Sequence, residues 1–369
     1  MTDNASSACF DLTLTEEQRI TRESMRRFAE SEIRPVARQA DEASQAPEGF
    51  YDKAAELGLS LMPIPEALGG AGMERSPISN ILNAEDLAYG DFSLALGVLA
   101  PLGFINTVLD FGNEQQHERF LTPMASEQYV AATVALMEPK ATFEPESMET
   151  RAEKTADGFV LNGEKSMVLM AQDARFILVL AKESESNTIS GFVVEPHMQG
   201  LTIEAESFMG LKPVSLAKIT LANVEVDAQS RIELDLQRMM DLSNVGISAL
   251  ALGCCEAILD YVVPYVNERQ AFGEPISHRQ SVAFMVADMA TEIEAMRMMV
   301  YRAASRAEQG LDFHESAYLC KVFCADHAME IGSNGIQLLG GHGFIREHPV
   351  EMWYRNLRAV AVLLGAFVV

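Results

Sequence analysis

Apolar residues in the first third of the chain recur at helical spacing. Ile20, Met25, Phe28 and Ile33 follow a polar opening at Thr15-Glu16-Glu17-Gln18. Thr15 with Gln18 three residues on has the spacing of a capping box, which predicts a helix start. Pro35 predicts a break or kink, because proline removes a helical N–H donor. A second helix is predicted over 50–57, stopped by Gly58, and Leu68-Gly69-Gly70-Ala71-Gly72 reads as a loop. Helical spacing resumes over 78–87, 94–111 and 114–120.

The pattern changes near Tyr129. Residues 130–137, 159–161, 176–180, 191–194 and 217–224 form short runs rich in β-branched and aromatic residues, separated by turn formers. Asn162-Gly163 carries a hairpin signal. From Leu234 the spacing is helical again, over 234–268, 279–308 and 314–338, with a shorter piece from Val350. Long helices joined by short connections predict a bundle. The fold class is therefore mainly α with a central β domain. Three domains are expected: 1–128 helical, 129–232 β, and 233–369 a helical bundle. No internal repeat or low-complexity segment interrupts this order.

With 369 residues, 48% of them hydrophobic, the chain can bury a large core. A charged content of 22% excludes wholesale disorder. The formal net charge of −25 repels nucleic acid and anionic lipid, so neither is an expected partner. An anionic ligand then needs a local basic site.

The cysteines are Cys9, Cys254, Cys255, Cys320 and Cys324. Cys320 and Cys324 sit one helical turn apart with His327 beyond, but no fourth ligand follows, so buried thiols are expected rather than a metal site. That cysteine usage fits a reducing cytoplasm. Residues Met1 to Phe10 lack a basic-then-apolar signal pattern. The longest apolar run, 249–263, contains Glu256 and Asp260 and is too short to span a bilayer.

Several motifs in order along the chain resemble the acyl-CoA dehydrogenase family. They are Leu14-Thr15-Glu16-Glu17-Gln18, Gly69-Gly70-Ala71-Gly72, Phe111-Gly112-Asn113-Glu114-Gln115, Glu138-Pro139 and Asn162-Gly163-Glu164-Lys165. Arg269-Gln270-Ala271-Phe272-Gly273, with Ile276 and Gln280, and Gln337-Leu338-Leu339-Gly340-Gly341-His342-Gly343-Phe344 complete the set. The resemblance implies an N-terminal helical domain, a middle β-barrel domain and a C-terminal four-helix bundle. It also implies FAD-dependent α,β-dehydrogenation of an acyl-CoA thioester in an oligomer, with electron-transferring flavoprotein as electron acceptor. In such chemistry the flavin carries the redox step, and the protein supplies orientation, a base and hydrogen bonds.

The resemblance divides the site residues into three groups. Arg269, Phe272, Gln280, Gln337, Gly340 and Gly341 match the residues along the adenosine and pyrophosphate end of FAD, where the family's arginine serves the neighbouring subunit's flavin. A guanidinium fork suits a phosphate, and glycines let backbone approach a ligand. The flavin-ring end departs from the family. Where the family reads T-E-P-G-A-G-S-D, this chain reads Met137-Glu138-Pro139-Lys140-Ala141-Thr142-Phe143-Glu144, and the family's next tryptophan and threonine are Met167 and Leu169.

Leu364 stands at the usual position of the catalytic glutamate. Ser243 stands where some relatives carry it instead, with Asn244 in place of an arginine. Asp241 is the nearest alternative base, turned roughly 200° away along a helix. No catalytic residue is therefore assigned. The family also continues beyond the point matching Val369, so the apolar residues there are expected to be covered by a partner.

These departures suggest a base-lacking subunit that works beside a homologous acyl-CoA dehydrogenase subunit and shares its FAD. Two alternatives are an active homo-oligomeric flavoenzyme with a different base or reaction, and a flavin-free acyl-CoA or protein-binding module. His342 is a further candidate for cofactor contact, and His348 and His278 are expected at the surface.

Overall fold

The computed structural model describes residues 13–369, so the readings of Met1 to Phe10 and of Cys9 lie outside the described residues. Helix α1 (Glu16–Phe28) starts as its sequence requires. The Gln18 amide donates to Thr15 Oγ1 at 3.2 Å, and the Thr15 amide donates to Gln18 Oε1 at 3.0 Å. Two amides that a helix start leaves unpaired are thereby satisfied. A π-helical turn at Ala29–Ile33 leads into α2 (Arg34–Ala43), with Pro35 in its first turn. The backbone stays helical through this proline, so the chain does not break there, and the π turn is the local irregularity beside the lost N–H donor. Helices α3 (Phe50–Ala55), α4 (Pro77–Ala88), α5 (Phe92–Phe111) and α6 (Glu114–Leu121) complete the N-terminal part.

Strands β1 (Ala132–Ala135), β2 (Arg151–Lys154), β3 (Gly158–Leu169), β4 (Phe176–Glu183), β5 (Ile189–Val194), β6 (Leu201–Glu206), β7 (Leu216–Asp227) and β8 (Arg231–Ile232) build one sheet. Its order is β6-β7-β3-β2-β4-β5-β8, with β1 parallel to β4. Side chains alternate between two cores, as the strand period requires. Phe176, Leu178 and Leu180 join the main core with the helices, whereas Ile177, Val179 and Ala181 face a second core inside the curled sheet.

Asn162-Gly163 does not form the expected hairpin turn. Both residues lie within β3, opposite Ala222 and Leu221 of β7, beside a register shift. A Cβ at Gly163 would come within 2.6 Å of Thr150 Cα, so the glycine answers close chain approach at a bulge.

The C-terminal part contains α7 (Leu236–Glu268), a two-residue hairpin β9 (Gln270–Ala271) and β10 (Glu274–Pro275), then α8 (Gln280–Glu308), α9 (His314–Leu339) and α10 (Val350–Leu357). Helix α7 crosses α4 so closely that a Cβ at Gly253 would lie 1.9 Å from the Glu85 carbonyl oxygen. Glu85, itself buried, ties the two halves together. Tyr301 of α8 donates to it at 2.7 Å, and Arg297 of α8 lies 3.2 Å away.

Two helices, α5 and α7, are long and apolar enough to cross a membrane by length and composition. Their most apolar windows are 94% and 89% buried inside the protein, as core helices are.

The apolar residues after α10 were expected to need a partner's cover, but the chain covers them itself. Phe367, Val368 and Val369 are 0% exposed. They pass between α5 and α7, where a Cβ on Gly246 would meet Phe367 Cδ1 at 2.7 Å and Val369 Cγ1 at 2.8 Å.

Cys254, Cys255, Cys320 and Cys324 are buried free thiols. His327 turns instead toward Glu292 Oε1 at 3.4 Å and Glu330 Oε2 at 3.8 Å.

Candidate functional site

Arg269, Phe272, Gln337, Gly340 and Gly341 line one open groove of about 560 Å³. Gln280 does not line it, although its neighbours Arg279 and Ser281 do. One wall forms where α7 ends at Glu268 and the chain turns through the β9–β10 hairpin. That turn needs left-handed backbone at Phe272 (φ 57°) and Gly273 (φ 86°). For a bulky L-residue this conformation costs roughly 1–2 kcal/mol, yet Phe272 is 96% exposed and gains no packing in return. The two-residue hairpin turn itself requires positive φ at both central residues, and it leaves the Phe272 ring standing in the open groove.

The opposite wall is the end of α9. Gly340 adopts φ 57° and ψ −128°, and a Cβ on Gly340 or Gly341 would meet nothing within 4 Å. Tyr265 donates its hydroxyl to the Leu339 carbonyl at 3.2 Å and lies 2.9 Å from His342 Nδ1. His342 stacks on His348 with centroids 5.0 Å apart, and Tyr261 Oη lies 2.7 Å from His348 Nδ1. His348 is therefore a half-buried support of this wall rather than the free surface residue expected. His278 is exposed, with Nδ1 3.4 Å from Glu274.

Arg269 is exposed and, among the described residues, enters no ion pair within 4 Å. Arg279 stands with it, 5.4 Å from the Phe272 ring and 3.2 Å from Glu274. The groove thus carries two guanidinium groups, one of them paired with Glu274, on a chain of net charge −25. Sequence reasoning missed Arg279, although its position ten residues after Arg269, at the start of α8, was a usable signal.

The segment around Glu138 is closed by its own contacts. Glu138 is buried and accepts from the Thr150 amide at 2.7 Å and the Glu149 amide at 2.8 Å. Lys165, fully buried, donates to Glu138 at 3.3 Å and to the Leu136 carbonyl at 3.0 Å. Burial pushes the Lys165 ammonium down to about 8, against the pull of Glu138. Burial by itself would raise the Glu138 carboxyl, but the two amides and Lys165 hold it below the usual range. Met137 is half-buried, Leu169 is buried, and Phe143 and Met167 pack against the main core.

Leu364 is half-buried and also packs against the main core. The residue before it is held by Lys321, whose buried Nζ donates to the Leu363 carbonyl at 2.9 Å. A Cβ on Gly365 would lie 3.5 Å from Met239 Cε of α7. Ser243 follows Met239 by one helical turn, and its hydroxyl is buried without a hydrogen-bond partner, as is Asn244 Oδ1. Asp241 points elsewhere. Its carboxylate lies 3.0 Å from exposed His314 Nδ1 and accepts from Gln237 at 3.0 Å. Burial raises the Asp241 carboxyl, and the contact with His314 partly offsets this.

Comparison with known proteins follows this layout. The acyl-CoA dehydrogenase N-terminal domain matches residues 15–128, the middle domain residues 133–224, and the C-terminal domain residues 235–367. The chain belongs to the acyl-CoA dehydrogenase family.

A probable acyl-CoA dehydrogenase, YngJ of Bacillus subtilis, is 33% identical over 362 residues, covering 95% of this chain and 94% of that protein. The solved butyryl-CoA dehydrogenase of Megasphaera elsdenii superimposes with a TM-score of 0.88 at 29% identity, over 95% of each chain. A chain in a solved structure of the electron transferring flavoprotein of Acidaminococcus fermentans gives 0.87 at 30% identity, again over 95% of each.

Within this flavoprotein family the chain has an open groove at Arg269 and Gly340-Gly341. It carries apolar or self-paired side chains at Met137, Lys165 and Leu169, and no titratable group at Leu364 or Ser243.

Proposed function

We propose that this chain is a base-lacking subunit of a hetero-oligomeric acyl-CoA dehydrogenase that contributes the phosphate-holding half of an FAD site to a homologous catalytic subunit. The division of the site carries this reading. The groove at Arg269 is open and has an unpaired guanidinium, whereas the flavin-ring residues and the base position have become apolar.

The groove fits the phosphate-bearing end of FAD. Arg269 would pair with the pyrophosphate in the bidentate manner of a guanidinium. Gly340 and Gly341 would let backbone approach the same group, and exposed Phe272 offers an aromatic face. Gln337 and Arg279 add donors along the groove. The ring end does not fit. Met137 and Leu169 offer no hydrogen bond to a ring edge, and Lys165 is already committed to Glu138 and Leu136. Each lost partner of a buried polar edge costs about 1–3 kcal/mol.

FAD bound in the shared site supplies the hydride acceptor of the dehydrogenation. The α-proton of an acyl-CoA thioester then has to be taken by a carboxylate of the partner. A missing general base typically lowers a rate 10²- to 10⁴-fold, and Leu364 cannot replace it. The assembly is proposed to be cytoplasmic and to pass electrons to an electron-transferring flavoprotein.

The test is co-purification with a family member that retains the glutamate and the flavin-ring residues. Arg269→Ala in this chain should leave the assembly intact and lower its FAD content at least tenfold. Unchanged FAD content would overturn the reading.

A further inference from the structure

The residues that follow Leu363 are packed like a bound ligand. Among the described residues, 364–369 make no backbone–backbone hydrogen bond. Side chains from three separate elements hold the carbonyls of the segment instead. Lys321 of α9 donates to Leu363 O at 2.9 Å, Asn106 of α5 donates to Val368 O at 2.7 Å, and Arg75, before α4, donates to Val369 O. The walls are shaped for the segment. Gly246 of α7 faces Phe367 and Val369, and a Cβ on Gly103 of α5 would meet the Ala366 carbonyl at 3.2 Å.

Around this largely buried segment lie polar atoms that it leaves unsatisfied. Ser243 Oγ, on the α7 face between Met239 and Gly246, has no hydrogen-bond partner, and neither does Asn106 Oδ1. Buried polar atoms without partners are uncommon in a finished core, and an extended apolar strap fits such a wall incompletely. Arg75 also lines a separate cavity of about 490 Å³ beside α1 and α4.

We infer that residues 363–369 occupy the slot between α5 and α7 in place of an acyl group, so that this segment and an acyl thioester exclude one another. The segment offers what such a ligand offers: apolar groups for the walls, and carbonyl oxygens for the buried donors of Lys321 and Asn106 and for the half-buried Arg75, which also pairs with Asp110. The segment includes Leu364, which the proposed function treats as the vacated base position, and the inference rests on that reading for the acyl class of ligand. The chain carries its own occupant, held by side-chain contacts from Lys321, Asn106 and Arg75.

The experiment is a calorimetric titration of the full chain with octanoyl-CoA, joined to amide hydrogen exchange over 360–369. The double variant Phe367→Ala/Val368→Ala is titrated in parallel. The wild-type chain is expected to bind octanoyl-CoA at least tenfold more weakly than the variant. Wherever it does bind, exchange of amides 364–369 should rise at least tenfold. Binding by the wild type with those amides still protected would overturn the inference. So would equal affinities of the two proteins, or no binding by either while both remain folded by circular dichroism. FAD content of the co-purified assembly does not depend on this slot, so a failure here is distinguishable from a failure of the shared-site reading.

Discussion

Lys321 Nζ lies 2.9 Å from the carbonyl oxygen of Leu363, which places a fully buried ammonium directly behind Leu364. Burial pushes this lysine down to about 7. In the unfolded chain it titrates near its ordinary value, about 10.4. Between these values the unfolded state holds a proton that the folded state has released, so stability rises with pH across that window. The wild-type chain should gain stability relative to Lys321→Met from about pH 7 to about pH 10, by at most about 1.4 kcal/mol per pH unit. Urea unfolding of both proteins at several pH values measures the slope. Parallel profiles would show that Lys321 is charged in the fold.

The buried pair of Glu138 and Lys165 is expected to behave as a unit. Glu138→Ala removes the acceptor of two backbone amides and leaves Lys165 without its carboxylate. Breaking a buried pair from one side typically costs about 3–5 kcal/mol. Lys165→Met combined with Glu138→Gln should cost markedly less than Glu138→Ala alone. Denaturant midpoints of the single and double variants check this by a mutant cycle.

The crossing of α4 and α7 depends on Gly253, since a Cβ there would lie 1.9 Å from the Glu85 carbonyl oxygen. Backbone on both sides has to move to admit it. Gly253→Ala should destabilise by roughly 2 kcal/mol or more, in line with overpacking of a tight core. A thermal melt suffices as readout, and an unchanged midpoint would show that the helices can separate freely.

Restoring a carboxylate at the base position is expected to fail as a rescue. Leu364→Glu places an ionisable group in a half-buried apolar setting and leaves Met137 and Leu169 unable to contact a flavin ring. The pure variant should show no acyl-CoA dehydrogenase activity with butyryl-CoA or octanoyl-CoA in a dye-reduction assay. Activity within 100-fold of an ordinary family member would mean that only the base was missing.

Much of the helical fold was legible because burial imposes the 3.6-residue period on its amphipathic elements. The capping box at Thr15 and Gln18 was readable for the same local reason. The sheet was less legible. β2 reads Arg-Ala-Glu-Lys and carries no apolar alternation, whereas β6 reads Leu-Thr-Ile-Glu-Ala-Glu, an alternation that signals a strand and was not used. Asn162-Gly163 misled because a bulge and a turn both favour glycine.

At the groove, five of the six residues singled out in the sequence come together, because their motifs fall on the facing ends of α7 and α9. Gln280 is not among the lining residues, since it begins α8 one position beyond Arg279. The destination of residues 363–369 could not be read at all. An apolar run does not say which surface will cover it, and here the walls at Gly103 and Gly246 are far away in the sequence.

The most direct test of the shared-site proposal is an absorption spectrum of the purified chain from 300 to 550 nm, with FAD counted per protomer after denaturation. The expected result is an almost colourless protein, far below one FAD per chain, that gains flavin only when co-expressed with a homologous catalytic subunit. One FAD per chain in the pure protein, bleached by an acyl-CoA, would contradict it and make this chain an enzyme in its own right.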